Sequence, residues 1–210
     1  MQLQHPLGAI SGGVEGDVLA ALTRAGDAQM DVAQLARLTG KSYTGVKLSL
    51  RRLVSQGTVL ESHVGAKSLY RFNADHILAP AIGEIVSAKS RFLERVATQI
   101  RTDFTYAPMF AALFGSASRD DMTPESDIDL FLVRPDDADA AEFDDEASEL
   151  ALAITRLTGN DARMLVYGLD EIAEGPEAHP VLAEIARDGV MLAGTLDEFR
   201  KAIRGASTPA

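Results

Sequence analysis

Asp127 and Asp129 are separated by one residue, and in an extended chain that spacing sends both side chains to the same side. Two carboxylates aimed into one small volume repel each other unless a divalent cation or a shared proton joins them. Ile128 and Leu130 point the opposite way, into a core, so the strand is anchored where its acids are exposed. Ten residues separate Asp127 from Ser116, which with Gly115 closes an earlier apolar run. A glycine at that place lets backbone amides approach an anion as they do at a helix N-terminus. One end of such a site suits a polyphosphate and the other the cation that neutralises it, which is equipment for phosphoryl transfer.

The whole stretch, Phe114-Gly115-Ser116-Ala117-Ser118-Arg119-Asp120-Asp121-Met122-Thr123-Pro124-Glu125-Ser126-Asp127-Ile128-Asp129, resembles the DNA polymerase beta-like nucleotidyltransferase superfamily. The signature of that superfamily is Gly-Ser, about ten residues, then Asp-hydrophobic-Asp, and the likeness runs from about Phe104 to Ala193. It implies a mixed sheet with flanking helices and transfer of a nucleoside monophosphate from a triphosphate to a hydroxyl. It also implies magnesium, with room for two ions, held by Asp127 and Asp129. Gly115, Ser116, Arg119 and Ser126 would bind the nucleoside triphosphate, with ATP the expected donor. Two positions depart from the pattern. Asp120 stands where the family usually has glycine, adding negative charge near the phosphate path. On the strand Ala162 to Tyr167, Arg163 falls where the family has a third carboxylate that helps deprotonate the acceptor. Asp161, two residues earlier on the same face, is the candidate substitute and the third expected catalytic residue beside Asp127 and Asp129.

These residues need a scaffold, and the pattern supplies one. Strands at Met109 to Phe114, Ile128 to Val133, Ala162 to Tyr167 and Val190 to Ala193 alternate with helices at Asp144 to Leu157 and His179 to Arg187, which implies an α/β (α+β) layer. The acidic cluster from Asp136 to Glu149 reads as the solvated face of a helix whose apolar partners are Phe143, Ala147, Leu150, Leu152 and Ile154.

The first 75 residues read differently. Met1 to Gly16 looks like a loose leader. Helices follow, one capped by Asp17 and running through Leu22, one from Asp31 to Gly40 with Val32, Leu35, Ala36 and Leu38 on one side, and one from Ser42 with a stripe of Val46, Leu50, Leu53 and Val54. A hairpin of Thr58 to Val64 and Lys67 to Phe72 turns at Gly65-Ala66. Three helices and a two-stranded wing make a winged helix-turn-helix, with the third helix as reader. Thr44, Lys47, Arg51 and Arg52 on that helix, and Lys67 and Arg71 in the wing, are the candidate DNA contacts. Leu48 also points away from the stripe.

Domain organisation is therefore read as 1–75, a winged helix-turn-helix; 76–104, a single connector helix interrupted early by Pro80; and 105–210, the nucleotidyltransferase-like unit. The net charge of −11 divides as +2 over residues 1–75 and −13 over the rest, so DNA binding has to rest on a local basic face.

Composition excludes other classes. Without cysteine there is no disulfide, thiol nucleophile or thiolate metal site. The chain is 46% hydrophobic and 24% charged with a mean hydropathy of +0.01, as in soluble domains, and no run nears the roughly 18 apolar residues of a membrane span. A cytoplasmic location without membrane attachment is expected. Gly40-Lys41-Ser42 echoes a P-loop but has Leu35 where that motif needs glycine, and His5, His63, His76 and His179 have no metal spacing.

Two functions fit. One is a magnesium-dependent nucleotidyltransferase whose winged helix selects a target, with RNA, a protein or a small molecule as acceptor. The other is a DNA-binding transcriptional regulator whose transferase domain is degenerate or senses nucleotide. A third class, an antitoxin-like or scaffolding partner, would need exposed apolar area on the Asp75 to Phe104 helix, whose pattern also permits a homodimer.

Overall fold

The computed structural model describes residues 1–10 and 12–204; the last six positions of the expected third segment lie outside them. The chain divides into two compact units, His5–Lys89 and a second made of Met1–Gln4 with the chain from Ser90 onward.

The first unit opens with a 3-10 helix, Pro6–Ala9, followed by α1 (Val14–Ala25), α2 (Val32–Thr39), α3 (Tyr43–Ser55), β1 (Val59–Val64), β2 (Lys67–Phe72) and α4 (Ala79–Val86). Local chemistry sets the starts of α2 and α3. Asp31 and Gln34 form a reciprocal capping box, and the Ser42 hydroxyl accepts from the Gly45 amide at 3.1 Å. Helix α1 begins earlier than its sequence suggests, at Val14. Asp17 is not its cap but a member of its first turns, where its carboxylate pairs with Lys41 at 3.0 Å and His5 at 3.1 Å. Val46, Leu50 and Leu53 of α3 pack with Val18, Leu22 and Leu35, as the stripe requires. Leu38, assigned to the same side of α2, is exposed instead. Strands β1 and β2 pair antiparallel from Val59↔Phe72 to Val64↔Lys67, and Met30 bridges to Tyr70 as a short third rung.

The segment expected as one connector is two helices, and each is committed to a core. Helix α4 buries Ala79, Ile82 and Val86 in the first unit. Helix α5 (Ala88–Asp103) buries Phe92, Val96 and Ile100 in the second. Nor is the N-terminus wholly a loose leader. Leu3 is fully buried among these same residues of the second unit, the Met1 ammonium bonds the Asn160 side chain, and Gln2 and Gln4 donate to the Met122 carbonyl.

The second unit continues with β3 (Phe110–Phe114), α6 (Gly115–Ser118), β4 (Ile128–Val133), α7 (Ala140–Thr158), β5 (Ala162–Tyr167), α8 (Leu169–Ala173), α9 (Gly175–Ala178), α10 (Pro180–Asp188), β6 (Val190–Ala193) and α11 (Leu196–Ala202). The sheet is mixed, in the order β5-β4-β3-β6, with β4 and β5 parallel and the other pairs antiparallel. Strand β4 is buried on both faces, so its residues alternate between two cores. Ile128, Leu130 and Leu132 meet α5 and α7 through Val96, Ile100, Phe143 and Ile154. Phe131 and Val133 meet α8, α10 and α11 through Ile172, Leu182, Ile185 and Phe199. Helix α7 presents Phe143, Ala147, Leu150 and Ile154 to the core, but Leu152 is exposed, contrary to its place in the expected apolar face. Among the described residues no helix is long and apolar enough to cross a membrane.

Candidate active site

The site forms where β3 ends and β4 begins. The register places Phe114 opposite Asp129, so the turn after β3 lies directly against the second acid. Gly115 takes φ +70°, and a Cβ there would stand 2.7 Å from the Asp129 Oδ2 atom. Any other residue would be strained by its backbone, and the Asp129 carboxylate would have to shift to admit its Cβ.

After Gly115 the chain makes the single turn α6. Ser116 and Gly115 open it, the Ser118 hydroxyl donates back to the Gly115 carbonyl at 2.9 Å, and the Asp121 amide donates to the Ser116 carbonyl at 3.1 Å. Asp120, the departure from the family pattern, is the one non-glycine with positive φ among the described residues, at +61°. The backbone there keeps a glycine-like conformation, which aspartate tolerates better than most side chains. Ser126, expected at the nucleotide, is engaged in the loop: its hydroxyl accepts from the Thr123 amide at 2.9 Å, and its carbonyl accepts from the Asn160 side chain at 2.7 Å.

Asp127 lies just before β4, and Asp129 falls on the same face as Phe131 and Val133, at the open end of that core. Burial, and then the charge of Asp127, push the Asp129 carboxyl above its ordinary range; Glu184 adds to the rise and Arg163 opposes it. The charge of Asp127 thus reaches Asp129, as the spacing requires.

Strand β5 contributes the main counter-charge. Its register sets Arg163 beside Asp129, and the Arg163 guanidinium donates to Asp127 Oδ2 at 2.8 Å. Asp161 is exposed, with Oδ2 3.6 Å from Arg163 Nε, while its carbonyl accepts from the Ile128 amide at 2.8 Å. Arg163 thus stands between Asp127 and Asp161, and no carboxylate occupies the place beside Asp129 on β5. Arg119 is likewise paired, through Nη1 to Glu184 at 2.6 Å and through Nε to Asp121 at 3.2 Å. Glu184, on α10, had no signal in the sequence: a single acid in an amphipathic helix is ordinarily a solvated residue.

The donor set has a definite capacity. Among the described residues no three His, Asp or Glu side chains gather as a ready cation cage. Two adjacent carboxylates fit one magnesium ion whose remaining ligands are phosphate oxygens and water, because this ion keeps much of its hydration and is commonly bound by one or two carboxylates.

In the first unit, Thr44, Lys47, Leu48, Arg51 and Arg52 are exposed on α3, and Lys67 is exposed on β2 beside a half-buried Arg71. Arg52 pairs with Glu15 at 3.0 Å, which lowers its availability to a phosphate.

Comparison with known proteins gives one family. Residues 93–163 match the family model described as nucleotidyltransferase domain. No curated protein matches the chain. Similar solved structures include a toxin-antitoxin with AMP-PNP, at 19% identity over 54% of this chain and 83% of that chain, with a TM-score of 0.40. A mutant of the toxin-antitoxin MntA-HpeT has 16% identity over 55% and 83%, with a TM-score of 0.40. A tri-AMPylated Shewanella oneidensis HEPN toxin in complex with MNT antitoxin has 16% identity over 56% and 82%, with a TM-score of 0.38.

Proposed function

We propose that this chain, which carries a nucleotidyltransferase domain over residues 93–163, moves a nucleoside monophosphate from a nucleoside triphosphate to the hydroxyl of an acceptor. The observation that carries this reading is the fit of Gly115 against Asp129, since a side chain at the turn would close the space between phosphate-binding amides and acid. The acceptor oxygen forms a bond to the α-phosphorus while the bond to the departing pyrophosphate breaks, and the hydroxyl proton leaves to a base or to water. Gly115 and Ser116 offer backbone amides to the triphosphate, and Arg119 offers guanidinium hydrogens. Asp127 and Asp129 would hold magnesium, which neutralises the triphosphate when bound. Asp161, just before β5 and 3.6 Å from Arg163 Nε, is the carboxylate on hand for the acceptor's proton.

The first unit is read as a winged helix-turn-helix that brings the enzyme to DNA. Lys47 and Arg51 are its principal phosphate contacts, with Thr44, Arg52, Lys67 and Arg71 around them. RNA, a protein side chain and a small molecule all remain chemically suitable as acceptor.

A second reading is favoured by one contact. Arg163 pairs with Asp127 at 2.8 Å, where a cation would otherwise sit. On that reading the chain is a DNA-binding regulator whose transferase domain senses nucleotide without turning it over. Incubation of the protein and magnesium with each nucleoside triphosphate labelled at the α-phosphate, in the presence of cellular RNA and protein, separates the two. Label transferred to a macromolecule supports the enzyme. Nucleotide binding without transfer, joined to a sequence-specific DNA footprint, supports the regulator.

A further inference from the structure

The strand alternation that exposes Asp129 also decides which helix looks onto it. Asp129 shares its face of β4 with Phe131 and Val133, and that face is covered by α10 through Leu182 and Ile185. Glu184 lies between those two anchors in sequence, and their burial fixes where it can reach. Its Oε1 accepts from Arg119 Nη1 at 2.6 Å across 65 residues of chain.

The Arg119 contacts leave part of the guanidinium unclaimed. Nε is used by Asp121 and one Nη1 hydrogen by Glu184, while no bond of Nη2 occurs among the described residues. A guanidinium is a planar fork, so fixing one edge orients the rest. Asp121 alone is a weak tether, since it is exposed and only two residues away in the chain. Glu184 ties the arginine to a packed helix.

Resting on the nucleotidyltransferase reading, we infer that Glu184 is a positioning residue: from α10 it holds Arg119 beside the Gly115 turn, with Nη2 kept for the phosphates of the incoming nucleotide. An arginine fixed beforehand loses little rotamer freedom when the phosphate arrives, which is the usual gain from preorganisation. The competing account is that the ion pair only fastens α10 to the turn.

Calorimetric titration of ATP with magnesium into the full chain, for wild type, Glu184→Gln, Arg119→Ala and the double variant, tells them apart. Glu184→Gln keeps the size of the side chain and removes its charge, and Glu184→Asp serves as a conservative rescue. Positioning predicts that Glu184→Gln weakens ATP binding about three- to tenfold. Adenosine binding is unchanged, Glu184→Asp recovers part of the loss, and Glu184→Gln has no further effect once Arg119 is alanine. Equal or tighter ATP binding in Glu184→Gln, or the same loss in the Arg119→Ala background, overturns the inference. ATP binding absent from the wild type would instead overturn the nucleotidyltransferase reading on which it rests.

Discussion

The Arg163 guanidinium stands 2.8 Å from Asp127, on the strand position beside Asp129. It supplies inside the protein some of the positive charge that a bound cation would bring. An arginine and a metal ion compete for the same carboxylate. Replacing Arg163 by alanine should therefore strengthen magnesium binding in the absence of nucleotide, by about three- to tenfold for a pair of an exposed arginine with a half-buried aspartate. Calorimetric titration of magnesium checks this, and weaker binding in the variant would show that Arg163 supports the metal site instead.

The pH dependence of the metal-free protein follows from Asp129. Its carboxyl is raised mainly by burial and then by Asp127, so the folded chain holds this proton more tightly than the unfolded chain does. Stability from this group is fully present below the unfolded pKa of about 3.9 and is lost as pH rises through the folded value. Asp129→Asn should flatten that decline. Denaturant melts from pH 3.5 to 7 measure the slope, and carboxyl NMR should show the Asp129 pKa falling when Asp127 is made asparagine.

Gly115→Ala should cost about 1–3 kcal/mol of stability, because the new side chain meets both an unfavourable φ and the Asp129 carboxylate. Nucleotide binding should fall with it. Thermal melts and ATP titration on the same preparation check both effects, and a silent substitution would mean that the turn is free to open.

Asp120 presents the opposite case. Its φ of +61° is natural for glycine, so Asp120→Gly should leave stability within about 1 kcal/mol of wild type, whereas a β-branched Asp120→Val should lower it by more. Chemical denaturation of the two variants provides the comparison.

For the first unit, the double variant Lys47→Ala with Arg51→Ala should weaken DNA binding uniformly across sequences and reduce the salt slope of log K by about 2. Fluorescence anisotropy at several salt concentrations tests it. An unchanged slope would remove α3 as the DNA face.

Much of this was legible because buried strands and capped helices leave local marks. The bounds of β4, β5 and β6 follow from their apolar runs, and Asp31 and Ser42 mark the starts of α2 and α3. The Gly115-Ser116 and Asp127-Asp129 pairs stood out for the same reason, since each is a short-range pattern. What was missed depends on packing between distant segments. Nothing near Glu184 announces that α10 will carry it to Arg119, and nothing near Leu3 announces that it will be buried beside Val96. The division of one long apolar pattern into α4 and α5 was hidden because both helices keep a similar period while serving different cores. Leu38 and Leu152 satisfy a helical stripe in sequence but lie exposed, and which flank of a stripe is covered depends on the elements packed against it. The positive φ of Asp120 is likewise set by how the chain returns from α6 to β4.

The central claim is that Asp127 and Asp129 jointly hold a cation that brings a nucleoside triphosphate to the Gly115 turn. Calorimetric titration of ATP into wild type and into the Asp127→Asn, Asp129→Asn double variant, each with and without magnesium, tests it most directly. The account predicts binding by wild type that strengthens with magnesium, and a double variant that stays folded but loses the magnesium-dependent part. Identical magnesium-dependent binding by the two proteins would contradict it.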